Sequence, residues 1–124
     1  MTTQAEQLRE RTKQFAIRIV KLFRALPKTE EARVLGKQVL RSGTSVAANY
    51  RAVCRAKSQA DFVSKLGTTV EEADETLLWL ELLEDSATCA GSAVAPLKSE
   101  AGELVRILQT SLTTAKNSYR SLNQ

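Results

Sequence analysis

Apolar residues recur along the chain at alternating spacings of four and three, as they do when each helix buries one stripe. The first stripe runs through Leu8, Thr12, Phe15, Ile19, Leu22 and Leu26. Thr3 and Glu6 form a capping-box pattern at its start and Pro27 cannot continue it, so a helix is predicted from about residue 4 to 25. Thr29 caps a second helix, with Glu30 and Glu31 in the first turn where the helix dipole favours acids. Its stripe is Ala32, Leu35, Val39, Ser42, Val46, Asn49, Val53 and Ala56, which predicts helix over about 29–56. Ser58 and Asp61 open a third helix, about 59–84, with Phe62, Leu66, Thr69, Ala73, Thr76, Leu80 and Leu83 on one side. The Ser-, Ala- and Gly-rich segment from Asp85 to Ala95 reads as a loop. Pro96 suits the first position of a fourth helix, about 96–119, whose stripe is Leu97, Ala101, Leu104, Leu108, Ser111, Ala115, Ser118 and Leu122.

Four amphipathic helices on short connections fold most economically as an all-α, antiparallel up-down-up-down four-helix bundle, here a single domain over residues 1–124. Apolar residues also lie off the four stripes, among them Ile17, Val20, Leu40, Val70, Leu77, Val105 and Leu112. A monomeric bundle needs one buried face per helix, so a second apolar strip favours a homo-oligomer. Wide core faces that absorb these residues are the alternative.

Composition narrows the chemistry. Of the 124 residues 43% are hydrophobic and 26% charged, as in an ordinary globular chain, and two prolines and five glycines bar little of it from helix. The longest unbroken apolar run, Leu77 to Leu80, is far too short to span a membrane, and Thr2 to Gln14 lacks the apolar core of a signal peptide. A cytoplasmic protein with no membrane partner is the expectation, with Cys54 and Cys89 reduced. The absence of histidine removes the commonest general base and the commonest transition-metal ligand together.

The net charge of +4 is divided unevenly. The first helix sets Arg9, Arg11, Lys13, Arg18, Lys21 and Arg24 against Glu6 and Glu10. The second sets Arg33, Lys37, Arg41, Arg51, Arg55 and Lys57 against Glu30 and Glu31. The third has Lys65 against Asp61, Glu71, Glu72, Asp74, Glu75, Glu81, Glu84 and Asp85. Clustered cations on the first two helices suit phosphates, whose neutralisation releases counterions. The candidate contacts are Arg9, Arg11, Lys13, Arg18, Lys21, Arg24, Arg41, Arg51, Arg55 and Lys57. In the competing reading these helices pair with the acidic third helix, within a subunit or across an interface. With aromatics at 5%, base-stacking platforms are not expected, so any nucleic-acid contact should be directed at the backbone and tolerant of sequence.

Polar residues interrupt two stripes. Ser42, Ser45 and Asn49 share one side of the second helix, and Glu72, Glu75, Thr76 and Trp79 answer on the third. Buried polar groups need partners, so these set helix register or frame a ligand or metal site. A ferritin-like carboxylate site would need Glu-x-x-His pairs, which a chain without histidine cannot supply. No base stands by to activate Ser42, Ser45 or Cys54 either, so neither enzyme activity nor a cofactor or metal is expected.

Gln38-Val39-Leu40-Arg41-Ser42-Gly43-Thr44-Ser45-Val46-Ala47-Ala48-Asn49-Tyr50 resembles the second-helix signature of bacterial four-helix-bundle proteins encoded in intervening sequences of large-subunit ribosomal RNA genes. Asp61-Phe62-Val63-Ser64-Lys65-Leu66 and the run from Glu71 to Leu83 resemble the third-helix motif of the same proteins, and the likeness extends over nearly the whole chain. The chain departs from that pattern with Ala52 and Val53, where members often carry an acid and a glycine. That family is similar to the accessory variability determinant of diversity-generating retroelements, a pentamer that binds nucleic acid through basic surface and associates with a reverse transcriptase. The resemblance implies a pentamer and a structural role for Ser42, Ser45, Asn49, Glu72, Glu75 and Trp79. Two functions follow from these readings. One is a homo-oligomeric adaptor that binds RNA or DNA non-specifically. The other is a protein-interaction scaffold, such as a reverse-transcriptase accessory, without direct nucleic-acid contact.

Overall fold

The structure, a computed structural model, describes residues 2–123. Four helices account for nearly all of them: α1 (Gln4–Ala25), α2 (Glu30–Val53), α3 (Gln59–Asp85) and α4 (Gly91–Leu122), with no strand among the described residues. α1 packs on α2, α2 on α3 and α3 on α4, while α1 meets α4 along a much thinner seam. None of these helices is long and apolar enough to cross a membrane.

Three helix starts are fixed by side chains. Thr3 Oγ1 accepts from the Glu6 amide at 3.1 Å, Thr29 Oγ1 from that of Ala32 at 3.2 Å, and Ser58 Oγ from that of Asp61 at 3.0 Å. Asp61 also accepts from the Lys57 amide at 3.0 Å and from Lys65 Nζ at 2.7 Å. The Lys65 hydrogen bond, and then the backbone one, hold its carboxyl below the usual carboxylate range.

α4 begins at Gly91, five residues before the predicted start at Pro96. Val94 is fully buried, three residues before Leu97 and seven before Ala101, so it extends the apolar stripe by a turn and draws the chain into helix. Pro96 therefore lies in the second turn and forfeits a single hydrogen bond to the Ser92 carbonyl on an exposed face. The predicted loop contracts to residues 86–90. There the Thr88 amide reaches the Leu83 carbonyl at 3.2 Å and the Ala87 amide reaches that of Glu84 at 3.1 Å, a Schellman turn closed by Ala87 at φ 54°. Glycine is the usual residue there because a Cβ is strained in this region. Ala87→Gly is expected to raise the unfolding free energy by about 1 kcal/mol, read by urea denaturation.

α2 is shorter than the stripe implied. Val53 is its last residue, the Arg55 amide turns back to the Ala52 carbonyl at 3.0 Å, and Ala56 falls outside the helix. At the far end of α4, Ser118 and Leu122 are exposed rather than buried. Gln59 Nε2 at the start of α3 reaches the Ala115 carbonyl at 3.4 Å, and Gln4 lines a hollow with Ser111 and Ala115. The last turns of α4 thus overhang its neighbours.

The core runs the length of the helices, through Phe15, Ile19, Val39, Val46, Leu66, Leu80, Leu83, Leu104 and Leu108. Val70 and Leu112 join it, which removes two members from the supposed second apolar strip. Val20, Leu40, Leu77 and Val105 are half-buried and Ile17 is exposed. Thr12, Ser42, Thr69 and Thr76 occupy buried positions because each hydroxyl donates to a carbonyl one turn earlier, at 2.7 to 3.0 Å. Gly36 and Gly43 allow α1 and α2 to close up, with Phe23 and Leu26 over the first and Ile19 over the second.

Candidate nucleic-acid interface

The bundle presents the outer faces of α1 and α2 as a basic surface. Arg9, Lys13, Arg18, Lys21 and Arg24 on α1 and Arg51 on α2 are exposed, as are Arg55 and Lys57 in the connection to α3. None of these eight joins an ion pair among the described residues. Arg9, Lys13 and Arg51 converge on one groove between α1 and α2, about 320 Å³ in volume, with Ala47 and Ala48 as its floor. The small floor residues leave room for a chain of phosphates to approach between three cations that have no internal use. Arg18 lies elsewhere on α1, so the eight do not form one cluster.

Two of the ten candidates are already engaged. Arg11 bridges the α1–α4 seam: Nε and Nη2 donate to the Glu100 carboxylate at 2.8 Å each, and Nη2 also donates to Glu103 at 2.6 Å. The Glu100 hydrogen bond, with the nearby negative charges, raises its pKa further, so the guanidinium stays charged. Arg41 crosses from α2 to α3, pairing with Glu75 and, at 3.5 Å, with Glu72. Here the pairing of basic and acidic helices within a subunit holds, for one residue out of the set. The sequence offered little warning, since the partners lie some ninety positions away for Arg11 and some thirty for Arg41.

The polar set divides in two. Glu72 and Glu75 converge on Arg41, which joins α3 to α2, and Trp79 Nε1 donates to Glu75 at 3.3 Å within α3. Ser45 and Asn49 serve each other instead: Asn49 Nδ2 donates to Ser45 Oγ at 2.8 Å and to the Ser45 carbonyl at 2.9 Å. Ser42 is buried and bonded to the Gln38 carbonyl at 2.8 Å. Among the described residues no buried side-chain nitrogen or oxygen lacks a partner, and no three acidic or thiol groups converge as a metal cage would require.

Two surface features have no signal in the sequence pattern. A hollow of about 460 Å³ at the α1–α2 turn is floored by Phe23, Leu26, Pro27 and Ala32 and rimmed by Arg24, Lys28, Arg33 and Lys37, with Glu30 on the same rim paired to Arg33. In the sequence Pro27 signals only a helix stop, yet the turn it makes gathers cations from both helices. At the opposite end of α2, Tyr50 and Cys54 line a cavity of about 180 Å³ with Leu8, Val53, Phe62 and Leu66. Burial, and then the nearby Cys54 charge, push the Tyr50 phenol from 10.0 up to about 12. The folded chain thus keeps this phenol neutral where an unfolded chain would release its proton. The stability that depends on this phenol is expected to be intact below pH 10 and to decline from there to about pH 12. Tyr50→Phe should flatten that decline in a series of thermal melts.

These features define a four-helix protein with a charge-divided surface, cationic on α1 and α2 and acidic on α3. The chain belongs to the 23S rRNA-intervening sequence protein family, whose profile matches residues 5–110. It is also similar to a solved structure, a protein of unknown function from the S23 ribosomal protein family of Bacteroides thetaiotaomicron VPI-5482. The two are 36% identical with a TM-score of 0.77, over 84% of this chain and 96% of that one. Among curated proteins none matches the chain.

Proposed function

We propose that this protein is a non-enzymatic, cytoplasmic, homo-oligomeric adaptor that binds RNA or DNA without sequence preference through basic surface on α1 and α2. The observation that carries this reading is the groove where Arg9, Lys13 and Arg51 meet over Ala47 and Ala48, free of internal ion pairs among the described residues. Cations held off from acids on a folded surface stand ready to displace counterions from a phosphate backbone. The family's tie to ribosomal RNA genes agrees with a nucleic-acid partner.

The protomer in this reading is an antiparallel up-down-up-down bundle. Three sets of neighbours support that course. Ile19 and Leu26 of α1 lie against Gly43 and Gly36 of α2 in reversed order. Tyr50 and Arg41 of α2 accompany Phe62 and Glu75 of α3, again reversed. Gln59 and Glu84 of α3 accompany Ala115 and Lys98 of α4 in the same manner. The pentameric state rests on the likeness to the retroelement determinant, and the exposed Leu78 and Leu82 of α3 support self-association.

Fluorescence anisotropy with a labelled RNA hairpin and a labelled DNA duplex of unrelated sequence tests the binding. Both should bind at low salt with affinities within about tenfold of each other, as backbone contacts require. Absence of binding to either at low salt would overturn the reading. A stoichiometric protein partner that survives nuclease treatment would then favour the scaffold.

A further inference from the structure

The outer face of α3 combines two features that a solitary bundle has no use for. Leu78 is 47% and Leu82 38% exposed, and both lie on the same side as the exposed acids Glu71, Asp74, Glu81 and Asp85. Residues at these spacings share one helix face. None of the four acids enters an ion pair among the described residues. The complement of this face lies elsewhere on the same molecule. The hollow at the α1–α2 turn has an apolar floor of Phe23, Leu26 and Pro27, and Lys28 and Lys37 on its rim have no ion-pair partner among the described residues.

The two surfaces also stand level with each other. Arg41 pairs with Glu72 and Glu75, and Tyr50 and Val53 share a cavity with Phe62 and Leu66, so one step down α2 matches one step up α3. By that register Leu78 and Leu82 lie at the height of Lys37 and Arg33. Two different complementary patches make a head-to-tail contact, which closes into a ring or runs on as a filament. Patches offset along the helices would climb with each copy, whereas patches at one height return to their starting level.

We propose that the acid-flanked leucines of α3, Leu78 and Leu82, dock into the Lys28/Lys37-rimmed hollow at the α1–α2 turn of a second copy of this chain, and that repetition of this contact builds a closed ring. The inference rests on the homo-oligomeric reading above and specifies the surfaces that meet. Apolar side chains enter the hollow and the opposed charges fix the register. The cation groove of Arg9, Lys13 and Arg51 lies at the other end of α1 and stays outside this contact.

Light scattering on the full chain over two decades of concentration, with circular dichroism as a check on folding, tests the contact. The wild-type chain is expected to give one discrete oligomer. Leu78→Glu with Leu82→Glu should reduce it to single chains, and so should either charge reversal, Glu81→Lys with Asp85→Lys or Lys28→Glu with Lys37→Glu. Combining both reversals in one chain should restore assembly, because the opposed charges are exchanged rather than lost. A wild-type oligomer that persists unchanged in all three variants would overturn this contact and leave the oligomeric reading standing. So would reversals that each dissociate it but do not recover in combination. A wild-type chain that stays single throughout would overturn the oligomeric reading itself, and this inference with it.

Discussion

Reversing Arg9, Lys13 and Arg51 to glutamate is expected to remove nucleic-acid binding at physiological salt while leaving the helical signal unchanged. The three side chains are exposed, share one groove and have no ion-pair partner among the described residues, so their reversal disturbs no contact that holds the bundle. Each phosphate neutralised contributes about 0.7 to 0.9 units to the log–log salt slope, so three lost contacts should flatten it by roughly two to three units. The added carboxylates repel the backbone as well. The charge count alone would have suggested reversing Arg11 too. That change would set a third carboxylate against Glu100 and Glu103 in the α1–α4 seam, and a loss of binding would then be confounded with a loss of fold. Wild-type affinity in the Arg9/Lys13/Arg51 variant would move the interface off this groove.

Ile19→Ala is expected to destabilise the fold by roughly 2–5 kcal/mol, the range for truncating a fully buried aliphatic side chain. Its pairing with Gly43 makes a sharper test. A Cβ on Gly43 would stand 2.8 Å from Ile19 Cγ1 and 2.9 Å from Cγ2, both on a β-branched side chain that cannot easily rotate away. Gly43→Ala alone therefore sets overpacking of about 1–3 kcal/mol against a helix-propensity gain of about 1 kcal/mol, and the net is destabilising. In the Ile19→Ala background both clashing atoms are gone and the propensity gain remains, so the same substitution should stabilise. A change of sign in a double-mutant cycle measured by urea denaturation would establish that the close approach of α1 to α2 depends on this pair. Simple additivity would contradict it.

The helices were legible where capping chemistry and periodicity agreed. Thr3, Thr29 and Ser58 carry the side chains that hold the first turns of α1, α2 and α3, and Pro27 ends α1 through its missing amide. The start of α4 is hidden in the sequence because Pro96 suits a first helical position, whereas burial of Val94 decides the start a turn and a half earlier. The α3 stripe was readable even through Thr69 and Thr76, since a hydroxyl that bonds its own helix can sit in a core. The charged surface was legible in composition and illegible in pairing. Nothing along the chain separates Arg11, held by two glutamates of α4, from Lys13, which faces solvent two residues later. The hollow at the α1–α2 turn was also hidden, because it exists only once Phe23 and Leu26 are brought over Gly36. Of the family signature residues, Arg41 of α2 pairs with Glu75 of α3, and Trp79 bonds Glu75 within α3.

The most direct test of the central claim is the affinity of the wild-type protein for a labelled RNA hairpin across a salt series. If the basic face is the functional surface, log affinity should fall linearly with log salt, and a slope of several units would correspond to several phosphates at about 0.7 to 0.9 each. A slope near zero, or no binding at the lowest salt, would contradict the account and leave the cations of α1 and α2 to the assembly of the protein alone.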